Sequence, residues 1–295
     1  MDSKSDIRDF LVTRRAKITP EQANLPTHGK RRVPGLRREE VAALAGVSVD
    51  YYNRLERGNL SGVSDSILES IASALRLDEA ERLHLFHLAR AANASPLARR
   101  PSKRPHLSPS LHRVLDGMSD VAAIVRNGRM DLLAASILGR ALYSPAYEFE
   151  PRGTNLARFA FLCPAARDFY PDWDGAANVA VALLRTEAGR NPHDPDLMAL
   201  VGELSTCSTE FRTRWAAHNV RTHYSGKKVF RHPAVGELTL AYDVMDLPGG
   251  GSLSLTAYTP EPVSPSADGM HLLASWAATT LAQNNSRSRS DAAEP

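Results

Sequence analysis

The sequence predicts two domains of different class. One is an N-terminal all-α domain of five helices carrying a helix-turn-helix. The other is a C-terminal α+β domain built on an antiparallel sheet. Three observations carry this. The chain has 295 residues, more than a typical single domain, and 43% apolar residues, enough for two cores. Up to residue 93 the apolar residues recur only at helical spacing, punctuated by Gly and by Ser at cap positions. Beyond residue 110, strand-like runs stand at both ends with helical stretches between them, the pattern of α+β. The expected boundaries are 1–93 for the first domain, 94–109 for a basic, Pro-rich linker, 110–283 for the second domain and 284–295 for a disordered tail.

The first helix is expected over 3–17, with Ile7, Phe10 and Leu11 at helical spacing. Residues 18–35 hold Pro20, Pro26, Gly29, Pro34 and Gly35, so they form a connection, and Lys30-Arg31-Arg32 within it suits phosphates. The stretch 36–58, LRREEVAALAGVSVDYYNRLERG, reads as two short helices around a tight turn. The first covers 37–45, with Val41, Ala42, Leu44 and Ala45 apolar. Gly46 takes the turn, because Gly reaches positive φ without a Cβ clash. Val47 plugs the gap beneath it, and Ser48 is an N-cap. The next helix, 49–57, sets Tyr52 and Leu55 on one face. Ser48, Asp50, Asn53, Arg54 and Arg57 lie opposite, and Gly58 ends it. Ser64 caps a helix through residue 76. Asp78 with Glu81 opens another over 79–92. On that last helix Glu81, His84 and His87 drift off one face with no evident fourth ligand, so no metal is expected.

Val41, Ala42, Gly46, Val47 and the run Leu55-Glu56-Arg57-Gly58 make this stretch resemble the Cro/C1-type (XRE) helix-turn-helix family. That resemblance implies a second helix lying in the DNA major groove and a first helix starting against the phosphate backbone. Arg37 and Arg38 then fall on the backbone. Ser48, Val49, Asp50, Asn53, Arg54 and Arg57 fall on the groove-facing side. It also implies a homodimer reading paired half-sites of a double-stranded operator.

Charge agrees with a polyanion partner. The net charge is only +3, but residues 11–38 carry eight Lys/Arg against the single acid Glu21, and residues 96–113 carry five with no acid. Cys163 and Cys207 are too few and too far apart for a disulfide scaffold or a C-x-x-C site. The charged first ten residues contain no apolar signal region, and no apolar run reaches a membrane span. A cytoplasmic protein is expected.

In the second domain a helix is expected over 111–118. Strands over 121–125 and 130–134 bracket the hairpin signal Asn127-Gly128. Helices follow over 137–143, 155–162, 165–169, 174–188, 195–207 and 209–218. Strands return over 220–230, with a Ser225-Gly226 turn signal, over 235–246, and over 252–258 after Gly249-Gly250-Gly251. A helix over 268–281 closes the domain. No G-x-S-x-G, H-E-x-x-H, phosphate-cradling loop or G-x-G-x-x-G is present, so an enzyme is not expected, and no cofactor is implied.

Further motifs extend the resemblance over nearly the whole chain. They are Gly35-Leu36-Arg37-Arg38-Glu39-Glu40-Val41-Ala42, Asn155-x-x-Arg158, Asp172-Trp173, Phe211-x-x-x-Trp215-x-x-His218 and His232-Pro233-x-x-Gly236. With them the chain resembles the MmyB-like regulators, which join an XRE domain to a ligand-binding domain of PAS-like fold. The resemblance implies a pocket for an apolar small-molecule effector, such as a fatty acid. Asn155, Arg158, Trp215, His218 and His232 are the candidate pocket residues. In the family the second strand usually ends in Trp-Asn; here Ala135-Ser136 stand there, which removes a large ring near the sheet. The alternative is a DNA-binding protein whose second domain is a dimerisation or partner-binding module without ligand.

Overall fold

A computed structural model describes residues 3–26, 33–93, 107–150, 153–217, 224–248 and 252–291, with the side chains of 4–279 among them. Lys30–Arg32, most of the linker, His218, Gly249–Gly251 and the last four residues lie outside the described residues. The element order is α1 (Ser3–Lys17), α2 (Arg38–Leu44), α3 (Val49–Glu56), α4 (Asp65–Ala74), α5 (Glu79–Asn93), α6 (Pro109–Asp116), β1 (Ala122–Arg126), β2 (Leu132–Ala135), α7 (Ile137–Leu142), α8 (Ser144–Phe149), α9 (Leu156–Leu162), α10 (Ala166–Phe169), α11 (Trp173–Arg190), α12 (Pro195–Cys207), α13 (Thr209–Ala216), β3 (Ser225–His232), β4 (Gly236–Asp246), β5 (Ser254–Pro260) and α14 (Pro265–Asp291).

The chain packs as two units. Among the described residues, 3–93 and 181–217 form one, and 107–180 with 224–291 form the other. The division falls inside α11, between Ala180 and Val181. Helices α12 and α13, which the sequence groups with the second domain, therefore pack with the first.

In the first unit, Ile7, Phe10 and Leu11 of α1 meet Val41, Ala42, Tyr52, Leu55, Leu68, Ile71 and Leu85 in one core. The turn before α3 uses Gly46 at φ +66°, and the Ser48 hydroxyl accepts from the Tyr51 N–H at 3.1 Å. Gly58 follows α3 at φ +89°, with the Lys4 backbone where a Cβ would stand, so a side chain here is excluded twice over. Asp78 and Glu81 cap α5 reciprocally, at 2.8 and 3.2 Å.

The α11–α13 arm joins this unit through buried cations. Arg185 is 3% exposed; it lies 3.6 Å from the Asp6 carboxylate, stacks 3.9 Å over the Trp215 ring and donates to the Trp215 carbonyl. Arg14, 2% exposed, pairs with Glu81 at 2.5 Å and donates to the Ala217 carbonyl at 3.5 Å. Gly189 lets α11 approach the His84 ring, where a Cβ would come within 2.7 Å. Such pairings satisfy charges that burial would otherwise penalise by several kcal/mol, so on the order of 3 kcal/mol rides on each partner.

The second unit is a five-stranded antiparallel sheet of order β2-β1-β5-β4-β3, the PAS-like arrangement. Ala122 pairs with Tyr258 and Tyr242 with Tyr258 across it. One face carries an aromatic cluster of Tyr143, Phe159, Phe169, Tyr170, Phe230 and Tyr258, in which the Tyr143 and Tyr258 hydroxyls bond at 2.7 Å. On the other, α6 packs Leu115 against Ala123, Val125 and Leu255. Period-two alternation along β1 sends Ala123 and Val125 to this face and Ala122, paired with Tyr258, to the aromatic one.

Several local expectations change. The β1–β2 turn is an Asx turn: Asn127 Oδ1 accepts from the Arg129 and Asp131 N–H groups, and Met130 carries the positive φ. Ser225-Gly226 does not turn; it opens β3, paired to Asp243 and Tyr242, and the turn falls at His232–Gly236 instead. Helix α8 was not expected, and α14 runs on to Asp291, through part of the expected tail.

Candidate functional site

Helix α3 is buried along Tyr52, Leu55 and Glu56. Its other side presents Ser48, Val49, Asp50, Arg54 and Arg57 as exposed residues and Asn53 half-buried, at i, i+3, i+4 and i+7 from Asp50. Val49 is 43% exposed. The Arg54 guanidinium lies 4.7 Å over the Tyr51 ring, a cation–π contact that restricts it. Tyr51 escaped the sequence reading, although its i,i+3 spacing from Arg54 was a signal for the contact.

Beneath this face Glu56, 2% exposed, accepts from Arg15 Nε at 2.6 Å and from Arg38 Nε at 2.6 Å. Arg15 also donates to the Leu36 carbonyl. Burial pushes the Glu56 carboxyl up, but hydrogen bonds from Arg15 and Arg38 and their charges outweigh it and hold the group below the usual carboxylate range. Arg38 keeps its side chain 55% exposed, so an oriented guanidinium edge is offered at the start of α2. Arg37 precedes it: its backbone N–H donates to Glu40 and its side chain pairs with Glu39 at 3.3 Å.

The second unit holds a half-open cleft of about 690 Å³ between α6, β2, α7, α8 and α14. Leu133, Ala134, Ala135, Ala141, Trp276 and Ala277 give it an apolar floor; Asp116, Arg140 and Glu148 stand among its polar lining. Ala135 and Ser136 both line it. A large ring at 135 would compete for that space. Ser136 Oγ is fully used, accepting from the Ala123 and Gly139 N–H groups and donating to the Val121 carbonyl.

The expected ligand residues do not converge. His232 is buried and bonds Ala141 and Ser144, both cleft residues, at 3.1 and 3.2 Å. Burial pushes its imidazolium down in pKa, against the bond to Ala141, so the ring is neutral near pH 7. Asn155 caps α9, accepting from Ala157 and Arg158, and donates to the Arg129 carbonyl and Asp131. Arg158 pairs with Glu150 at 3.2 Å. Trp215 belongs to the first unit, stacked on Phe211 and under Arg185. His218 lies outside the described residues. Arg140, Ser144, Tyr147 and Trp276 went unread because they come from three helices, one of them unexpected. Pro145 behind a capping position was the one available signal for α8. Among the described residues no group of three His, Cys, Asp or Glu side chains is placed to hold a metal ion, and no helix is long and apolar enough to cross a membrane.

No curated protein matches the chain. A helix-turn-helix domain model matches residues 14–85, and the model of the MmyB-like transcription regulator ligand binding domain matches residues 107–273. The second match spans more than half of the chain and contains the sheet and the cleft walls from α6 to α8, with Trp276 and Ala277 of α14 just beyond its end. With DNA-reading helices in front and a ligand-binding domain behind, this chain belongs to the MmyB-like family of XRE-type transcription regulators.

Proposed function

We propose that this regulator binds a two-half-site operator as a homodimer in the cytoplasm and that an apolar small molecule of fatty-acyl size, seated in the cleft of the second unit, shifts its operator affinity. The cleft carries the reading: about 690 Å³ with an apolar floor, lined mostly by residues of the segment matched to a ligand-binding domain. On the DNA side, Val49, Asn53, Arg54 and Arg57 read bases, while Arg37 and Arg38 grip phosphates. A ligand shifts DNA binding only by its differential affinity for two states, typically 1–3 kcal/mol, which corresponds to about 5–150-fold.

The test is to strip the purified full-length protein of bound lipid, titrate C8–C14 acids, esters and ketones, and follow operator binding by fluorescence anisotropy. A change of at least fivefold with one series supports the sensor. Equal operator affinity throughout, with no compound bound, leaves the second unit as a dimerisation or partner module.

A further inference from the structure

One end of the cleft has a hydrogen-bonding polarity fixed from behind. The Ala234 N–H donates to His232 Nδ1 at 3.2 Å, so Nδ1 is an acceptor and the ring proton sits on Nε2. Nε2–H faces two oxygens, the Ala141 carbonyl at 3.1 Å and Ser144 Oγ at 3.2 Å. The carbonyl can only accept, which fixes the proton on Nε2 a second time. Ser144 Oγ is therefore an acceptor toward His232, and its own proton is left to donate. Among the described residues that hydroxyl bonds no other group, and Ser144 lines the cleft.

The charges around the opening favour one kind of acceptor. Asp116 and Glu148 line the cleft, and neither is ion-paired among the described residues. Against these two carboxylates stand one guanidinium, Arg140, held 4.6 Å over the Tyr147 ring, and His112. The His112 Nδ1 approaches the Ser108 carbonyl at 3.2 Å. An anionic head group entering here meets a net negative rim, whereas a neutral oxygen does not. Resting on the cleft reading above, we propose that the cleft selects an apolar chain bearing a neutral carbonyl, such as a ketone or ester, over the free carboxylate, with the Ser144 hydroxyl donating to the carbonyl oxygen and His232 positioning that hydroxyl.

Isothermal titration of the full-length protein with 2-nonanone and with nonanoate at pH 7.5 tests this. The ketone is expected to bind at least tenfold more tightly. Ser144→Ala should weaken the ketone by about 2–10-fold, the worth of one hydrogen bond, and leave nonanoate within twofold. Ser144→Thr, which keeps the hydroxyl, should restore the preference. Ala135→Trp, checked for folding by circular dichroism, should abolish binding of both; Ala277→Phe serves the same end from α14. Nonanoate binding as tightly as the ketone, or a ketone affinity indifferent to Ser144→Ala, overturns the carbonyl assignment while leaving the cleft standing. Failure of both probes to bind, or binding indifferent to both filling variants, overturns the cleft and the assignment together.

Discussion

If α3 reads bases and the start of α2 meets phosphates, as proposed, two side chains of the N-terminal unit should separate affinity from specificity. Arg54 carries a charge held over Tyr51, and Arg38 carries one held by Glu56. Arg54→Ala should cost about 1–3 kcal/mol on the operator and relax preference at one base pair, as read by randomised-site selection. Tyr51→Ala should reproduce part of that loss without changing the salt slope, since no phosphate contact is removed. Arg38→Ala should instead weaken all sequences about equally. Glu56 makes a separate, pH-dependent prediction. Its folded pKa lies below the unfolded value near 4.3, so its contribution is complete above that pH and is lost as pH falls through the folded pKa. Glu56→Gln should lower stability at pH 7 by about 3 kcal/mol, because two arginines lose their counter-charge, and should flatten the acid limb of a melting-temperature profile below pH 4.3.

Among the elements, those whose signals are local were legible in advance. Gly46, Ser48 and Gly58 frame α3 through backbone φ and a cap, and both are written in single residues. The hairpin at Asn127 was also readable, though the side chain of Asn127 rather than Gly128 shapes its turn. Cleft and arm were not readable, for a shared reason: each is assembled from residues far apart in sequence. Ser144 finds its hydrogen-bond partner in His232, 88 positions away, and Arg185 finds its partner in Asp6 on α1. Burial pushes Arg185 down to about 10, against the pull of Asp6 and Asp9, so it stays charged at pH 7. Asp6→Asn should therefore strand a buried cation and destabilise the N-terminal unit by about 3 kcal/mol, seen in urea melts. Arg185→Met, which removes the cation and keeps its bulk, should be milder, and the double variant should recover part of the loss.

For the whole molecule, DNA binding should be steeply salt-dependent. Each phosphate neutralised adds about 0.9 to the log–log slope, so a flat slope would exclude the basic residues from the interface. A fragment ending at residue 93 should retain that slope yet melt below the intact chain, since Arg14 loses the Ala217 carbonyl and His84 loses its neighbour at Gly189. The α11–α13 arm also bears on how such regulators diverge. Its DNA-binding half is discontinuous in sequence, returning after residue 180 for one more visit. Recombination at the linker would hand a new ligand domain to old reading helices together with a stranger's arm, one unmatched to Asp6, Arg14 and His84. Wholesale exchange of halves is thereby discouraged. On the proposed reading, new operators should be reached instead by point substitution at Val49, Asp50, Arg54 and Arg57, exposed positions outside the core of the unit, where inheritance can experiment without unfolding the protein.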